Sequence, residues 1–440
     1  MKWWLLAALC ALLQACGGGE GGAAADAAAP GCSVTEQRQS LRTFMDDRYF
    51  WYRQLRAPDE AAGTLDAYFH SLLNLPADRF SFTESTAAHN QLFIEGRRVG
   101  YGYALVWADA AHSALRVRNV EPASPVARAG LARGDTIVSI DDYSPEQVVQ
   151  GALPVVDTPG VSRRFLVRTV AGVVRQFDVL SEDFPLTPVA VTKTLDATRA
   201  GVPVKVGYLA YHQFVGYSFA DLNLAFTRFA QAGIGELILD LRYNGGGSVN
   251  TSRDLASMIG GAHTVNRLYA YLRFNDKQAN STQRVLFNGP DTDFAQPLPA
   301  GLPRVVVIAS GATASASELV INGLRPFVNV VLVGDTTYGK PYGFVPRDNC
   351  GITYNAVQFE SLNSQGVGGY TAGFAPDCQV ADDLDRQLGD PAEARVKVAL
   401  NYIATGSCGA PPLAGKLAAP GPQSPPAVFG ESWPAQMFRD

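Results

Sequence analysis

The chain has 440 residues, room for roughly two to four domains. Its 47% hydrophobic and 18% charged residues match ordinary globular usage, which excludes wholesale disorder and a polytopic membrane protein. A net charge of −5 excludes an electrostatic footprint for nucleic acid, and five histidines without an HExxH or CxxC spacing leave little for a built-in transition-metal site; no cofactor is expected.

Residues 1–15 read as a signal peptide. Met1-Lys2 gives a short basic start to an apolar run at 3–13, which as a helix would span only about 16 Å, half of a bilayer core. The run ends in Leu13-Gln14-Ala15-Cys16, which resembles the lipobox of bacterial lipoproteins, where the cysteine is acylated and becomes the mature N-terminus. Residues 16–31 hold, after Cys16, no large side chain to pack and suit a flexible tether. The resemblance implies a lipid-anchored protein of the cell envelope, and glycine after Cys16 resembles cargo of the outer membrane, facing the periplasm. An ordinary signal peptide cut near Ala15 is the alternative. Behind the signal and the lipid site remain Cys32, Cys350, Cys378 and Cys408, an even number that suits two disulfides in an exported chain. Of the three pairings we expect Cys350–Cys378 with Cys32–Cys408; buried free thiols are the alternative.

The rest of the chain divides by pattern into a helical region at 32–98, a β-rich module at 99–182, an α/β core at 183–408 and a proline-rich, mostly irregular tail at 409–440. In the first, Leu41, Phe44, Met45, Tyr49 and Tyr52 recur near helical spacing across 37–55, and a second helical run covers 65–73. The module shows short β-branched runs at 115–120, 136–140, 164–167 and 173–179, broken by Gly, Pro and Asp turns. In the core, apolar runs at 204–211, 236–241, 304–309 and 328–333 alternate with helical stretches at 219–232 and 317–324, the pattern of a buried, largely parallel sheet. The fold class is thus a multi-domain α+β and α/β protein.

Two sets of residues carry chemistry. In the module, Gly100, Tyr101, Gly102 and Tyr103 form a glycine-and-apolar loop, followed by Ser124-Pro125-Val126-Ala127-Arg128-Ala129-Gly130-Leu131 and Gly134-Asp135-Thr136-Ile137-Val138-Ser139-Ile140-Asp141. In that order the three phrases resemble a PDZ domain, in which backbone N–H groups of the loop take a terminal carboxylate and the peptide adds as a strand at a sheet edge. A small β domain that only packs on its neighbour is the alternative.

In the core, three strands run into chemically loaded loops: Asn244-Gly245-Gly246-Gly247, then Ser310 to Glu318, then Gly334 to Lys340. Parallel strands would bring all three to one carboxyl edge, where open α/β sheets bind ligands. Ser315 opens a helix, beside unpaired N–H groups and the positive end of the dipole. The triple glycine can bring further N–H groups to a bound carbonyl. Lys340 lies one helix and one strand further on, and burial would lower its pKa from about 10.4 toward 7–8 and make it a base for a serine. Ser315-x-x-Glu318 also fits a capping box, in which Ser315 would be only the N-cap.

Leu239-Asp240-Leu241-Arg242-Tyr243-Asn244-Gly245-Gly246-Gly247, Ser315-Ala316-Ser317-Glu318 and Tyr338-Gly339-Lys340 together resemble the C-terminal processing peptidases, or tail-specific proteases. The resemblance covers roughly residues 95–405 and implies a serine endopeptidase that reads its substrate's C-terminus. It assigns Ser315 as nucleophile, Lys340 as general base, and the N–H of Ala316 with that of Gly245 or Gly246 as oxyanion hole. It implies peptide or protein partners with accessible C-termini, and membrane contact through the N-terminal lipid alone. The chain departs from the family pattern at Pro341, where many members have glycine, and at Phe344, where several have a glutamine that supports the lysine; Gln358 is the expected substitute. A catalytic histidine would have to be His212 or His263, each on a run that packing explains, and Glu318 is read as a cap. Two other functions stay open: a PDZ-bearing peptide-binding lipoprotein that has lost turnover, and a hydrolase of small esters. For the anchor, Cys16→Ser should move the protein from the detergent phase to the aqueous phase on phase partitioning.

Overall fold

The computed structural model describes residues 31–109, 111–289, 294, 296–409 and 429–430. The signal peptide, the lipobox with Cys16 and nearly all of the tether and tail therefore lie outside the described residues. No described helix is long and apolar enough to cross a membrane.

The centre is a six-stranded sheet in the order Cys378–Gln379, Asn329–Gly334, Arg304–Ala309, Glu236–Asp240, Val202–Tyr211, Val189–Arg199. All neighbours are parallel except the last pair, an antiparallel hairpin. The strands read as continuous apolar runs because both faces are covered. Leu209, Leu237, Leu239, Val305, Val307 and Leu332 face helices Phe219–Ala232, Val249–Gly260 and Ala316–Leu324. Their sequence neighbours Tyr208, Ile238, Val306, Ile308 and Val331 face Val396, Ala399 and Ile403 of helix Ala394–Thr405. A second, antiparallel sheet of Gln283–Leu286, Leu268–Phe274, Phe359–Leu362 and Tyr342–Gly343 stands beside the first.

The helical region does not form a core of its own. Helices Val34–Arg48 and Leu65–Leu72 bury Leu41, Phe44, Met45, Tyr68 and Phe69 together with Ala314, Tyr338, Tyr354 and Val357 of the α/β core. The first helix stops at Arg48, short of the expected residue 55, because Phe50 and Trp51 turn inward to pack on Tyr342.

The β-rich module is an antiparallel sheet of Tyr103–Trp107, Leu115–Val120, Thr136–Ile140, Ser162–Arg168 and Val174–Leu180, with short helices Pro125–Arg128 and Pro145–Val149. Arginines tie it to the core: Arg116 pairs with Asp385 at 2.8 Å and Arg118 lies over the Tyr243 ring. Arg133 is buried and donates to Asp382 at 2.7 Å, to the carbonyl of Arg386 at 3.1 Å and to the hydroxyl of Tyr243, the residue before Asn244.

Both expected disulfide pairings are corrected: Cys32 joins Cys350 and Cys378 joins Cys408, with Cα separations of 5.7 and 5.4 Å. Cys350 sits at the turn of the hairpin Arg347–Asn349 to Ile352–Asn355, against the start of the first helix. Cys378 opens the edge strand of the large sheet, and Cys408 follows the helix that lies on that sheet. Each pair joins elements that the fold, not the sequence order, makes neighbours. Opening the Cys378–Cys408 loop of 30 residues by Cys378→Ser should cost about 3–4 kcal/mol of unfolding free energy, read by chemical denaturation. Peptide mapping without reductant should recover Cys32 linked to Cys350.

Candidate active site

The three core strands at 236–240, 304–309 and 329–334 are parallel neighbours, so the loops that follow them leave the same edge of the sheet. Hydrogen bonds stitch those loops to one another. Thr313 Oγ1 donates to the carbonyl of Leu241 at 2.8 Å, Ala314 N–H to that of Asn244 at 3.1 Å, and Ser317 Oγ to the same Asn244 carbonyl at 2.9 Å. Tyr338 N–H in turn donates to the carbonyl of Thr313 at 3.0 Å.

Ser315 is held at φ +56°, ψ −116°, a conformation that costs a non-glycine residue on the order of 1–3 kcal/mol and that recurs where function demands it. Helix Ala316–Leu324 begins immediately after it, so the N–H of Ala316 is a first-turn donor with no partner inside the helix. Gly246 lies against this corner. A Cβ there would meet Ser315 Cβ at 2.7 Å and Ala316 N at 3.0 Å, and its φ is +110°, so only glycine fits. Gly246 N–H donates to Asn244 Oδ1 at 2.9 Å.

Glu318 does cap its helix, and it does more than that. The carboxylate is wholly buried and accepts from Ser315 N–H at 3.0 Å, Lys340 N–H at 2.8 Å, Gly339 N–H at 2.7 Å and Thr337 Oγ1 at 2.6 Å. One side chain thus binds the backbones of both Ser315 and Lys340. Burial pushes its pKa up, against the pull of these donors.

Lys340 is 2% exposed, and burial pushes its amine down to about 7, opposed by the charges of Asp78 and Glu318. Its Nζ lies 4.5 Å from the ring centroid of Phe344, which meets Phe82 edge-on at 5.6 Å. An aromatic face therefore stands over the amine, at the position where the family resemblance implied a glutamine. Gln358, the expected substitute, donates instead to the carbonyl of Val345 at 2.7 Å.

Ser315, Ala316, Gly247 and Lys340 line one cavity of about 370 Å³. Its walls are largely apolar, with Phe82, Phe93, Leu272, Phe274 and Phe359 among them. Neither histidine considered from the sequence is among the lining residues. His212 is half-buried, and desolvation pushes its pKa down to about 4, while His263 is exposed. The histidine in the lining is His89, whose Nδ1 contacts Glu84 Oε1 at 2.8 Å. Among the described residues no group of three or more His, Cys, Asp or Glu side chains is placed to hold a metal ion.

Asp78 and its neighbours went unread in the sequence. Asp78 is wholly buried and accepts from Tyr49 Oη at 2.7 Å, Ser81 Oγ at 2.6 Å and the N–H groups of Phe80 and Ser81. Arg79 donates to the carbonyls of Tyr338 at 3.0 Å and Thr371 at 3.2 Å, and its guanidinium lies 4.4 Å from the Tyr338 ring. This segment braces the loop that carries Lys340. No local spacing announces it, since its partners lie some 260 residues away.

A helix-borne serine in a strained corner, beside glycine N–H groups and a buried amine, is an arrangement suited to acyl transfer. The description "Peptidase family S41" matches residues 205–378, and "Peptidase S41 N-terminal domain" matches 36–82. A chloroplastic C-terminal processing peptidase of Tetradesmus obliquus is 24% identical over 76% of this chain and 71% of its own. A carboxyl-terminal-processing protease of Synechocystis sp. is 27% identical over 64% of this chain, which spans 63% of that relative. A crystal structure of an S41-type protease from Bacteroides fragilis superposes with a TM-score of 0.65 at 25% identity, over 83% of this chain and 96% of the other. Fold and matches together define a serine peptidase. The chain belongs to peptidase family S41.

With a neutral lysine as base, kcat/KM should climb as pH rises through about 7 and level off above it, because only the deprotonated amine accepts the serine proton. Lys340→Arg should lose roughly 10²–10⁴-fold, the usual worth of a general base. Glu318→Gln removes a negative charge that favours the ammonium, so the surviving activity should show its ascending limb at lower pH; pH–rate profiles of the three proteins decide.

Proposed function

We propose that this protein is a lipid-anchored endopeptidase of the cell envelope that cleaves peptides or proteins selected by their C-termini. Ser315 attacks the scissile carbonyl as Lys340 takes its proton, and the lysine then returns the proton to the leaving amine. The N–H groups of Ala316 and of Gly245 or Gly246 receive the oxyanion. The observation that carries this reading is a buried lysine, its amine held near neutrality, in the same cavity as Ser315 and fastened to it through Glu318. The apolar walls favour an apolar substrate side chain next to the bond that is cut.

The module at 99–182 is the proposed reader of C-termini. Gly100 and Gly102 both have positive φ, and the loop they shape leads directly into the strand Tyr103–Trp107. The side chains of Tyr101 and Tyr103 are buried in the module's core. Their part in the loop is therefore the backbone, as anion capture by N–H groups requires.

Labelling by an active-site serine probe, lost in Ser315→Ala, separates an active enzyme from a peptide-binding scaffold. A peptide substrate with an amidated C-terminus should lose about 10–150-fold in kcat/KM against its free acid, the value of the ~1.5–3 kcal/mol charge-assisted hydrogen bond it gives up. Equal rates for acid and amide would remove the C-terminal selection, and turnover of small esters alone would make it a different hydrolase.

A further inference from the structure

The strand Tyr103–Trp107 pairs with Leu115–Val120 along one side only, so its other side is a sheet edge. That edge is taken by the chain's own far end: Phe429–Gly430 adds antiparallel, with Phe429 opposite Leu105 and Gly430 opposite Ala104. The direction matters as much as the pairing. One step toward the C-terminus, from Phe429 to Gly430, is one step along the strand toward Gly102. A peptide whose terminal carboxylate sits in the loop at 100–103 and whose backbone adds to the same edge must run the same way.

We propose that the outer edge of Tyr103–Trp107 is a strand-addition site whose resident occupant is this chain's own segment at Phe429–Gly430, and that a substrate C-terminus binds there by displacing it. The proposal rests on the reading of 99–182 as a reader of C-termini. An edge offers one row of backbone donors and acceptors, so segment and substrate exclude each other. The segment belongs to the same chain as the site it fills, so its pairing is intramolecular and does not weaken on dilution. A substrate therefore sees its affinity reduced by the fraction of molecules whose edge is free. The module then favours substrates that arrive at high local concentration or bind tightly, and holds weak C-termini off.

The test uses the full chain with Ser315→Ala, so that nothing is cut, and a fluorescent peptide copying residues 423–432. In the continued register its carboxylate falls opposite Gly102. The comparison is with the same chain carrying Phe429→Pro and Gly430→Pro, which removes both N–H groups of the resident strand. A second comparison is a chain stopped after Gly409, and circular dichroism confirms that each is folded. The expected result is acid-peptide binding about tenfold or more tighter in both altered chains, at every protein concentration. Equal affinity in all three overturns self-occupancy while leaving the C-terminal reader intact. A difference that vanishes on dilution assigns the occupant to a second copy and overturns the intramolecular form. Acid and amide peptides bound alike by the altered chains would instead bring down the reader itself, and the proposal with it.

Discussion

The site hangs on a carboxylate that takes no part in bond making. Glu318 is buried, and its two oxygens are filled by three backbone N–H groups and one hydroxyl. A buried charge of this kind is tolerable only when its donors are fixed in place, so the fold must deliver the start of one helix and the end of another loop to the same point. That requirement explains the cross-links among the three loops, the left-handed backbone at Ser315 and the glycine packed against it. Should any of these shift, the carboxylate loses a donor, and Ser315 and Lys340 lose their common frame.

The lysine needs a second condition, a dry setting, and the helical region supplies part of it. Phe344 stands over the amine with Phe82 edge-on against it, and Arg79 braces the neighbouring loop through the carbonyl of Tyr338. The N-terminal helices share their core with Ala314 and Tyr338, residues one and two positions from Ser315 and Lys340. Their packing is therefore part of what keeps the amine out of water. Loss of the helical region would hydrate the lysine before it disturbed the large sheet.

Much of this was legible along the chain because it is written in local repeats. Strands such as Leu115–Val120, Thr136–Ile140 and Arg304–Ala309 and the helix Phe219–Ala232 fall where their periodicity puts them, and the glycine turn, Ser315 and Lys340 stand out as loop residues after apolar runs. What stayed hidden was non-local. The partners of Asp78 and Arg79, the aromatic face that Phe344 turns to Lys340 and the pairing of the cysteines depend on which elements the fold lays side by side. The antiparallel sheet that carries Phe274 and Phe359 escaped notice for a related reason: its strands come from segments far apart, and periodicity within each says nothing of the pairing. Glu318 is an instructive intermediate. Its spacing from Ser315 reveals the cap, and only the folded chain reveals that both oxygens reach the lysine loop.

The Cys32–Cys350 bridge has a mechanical meaning beyond its contribution to stability. It fastens the residue just ahead of the first helix to a hairpin whose strand Ile352–Asn355 pairs with Phe82–Ser85. Tension applied to the chain ahead of Cys32 divides there, and part of it passes through the covalent link into a three-stranded sheet pulled along its hydrogen-bonded edge. The helix that helps to keep Lys340 dry is thereby shielded from being unwound from its exposed end. A pull on the chain ahead of Cys32 would load that hairpin before it peeled the first helix from the core around Tyr338.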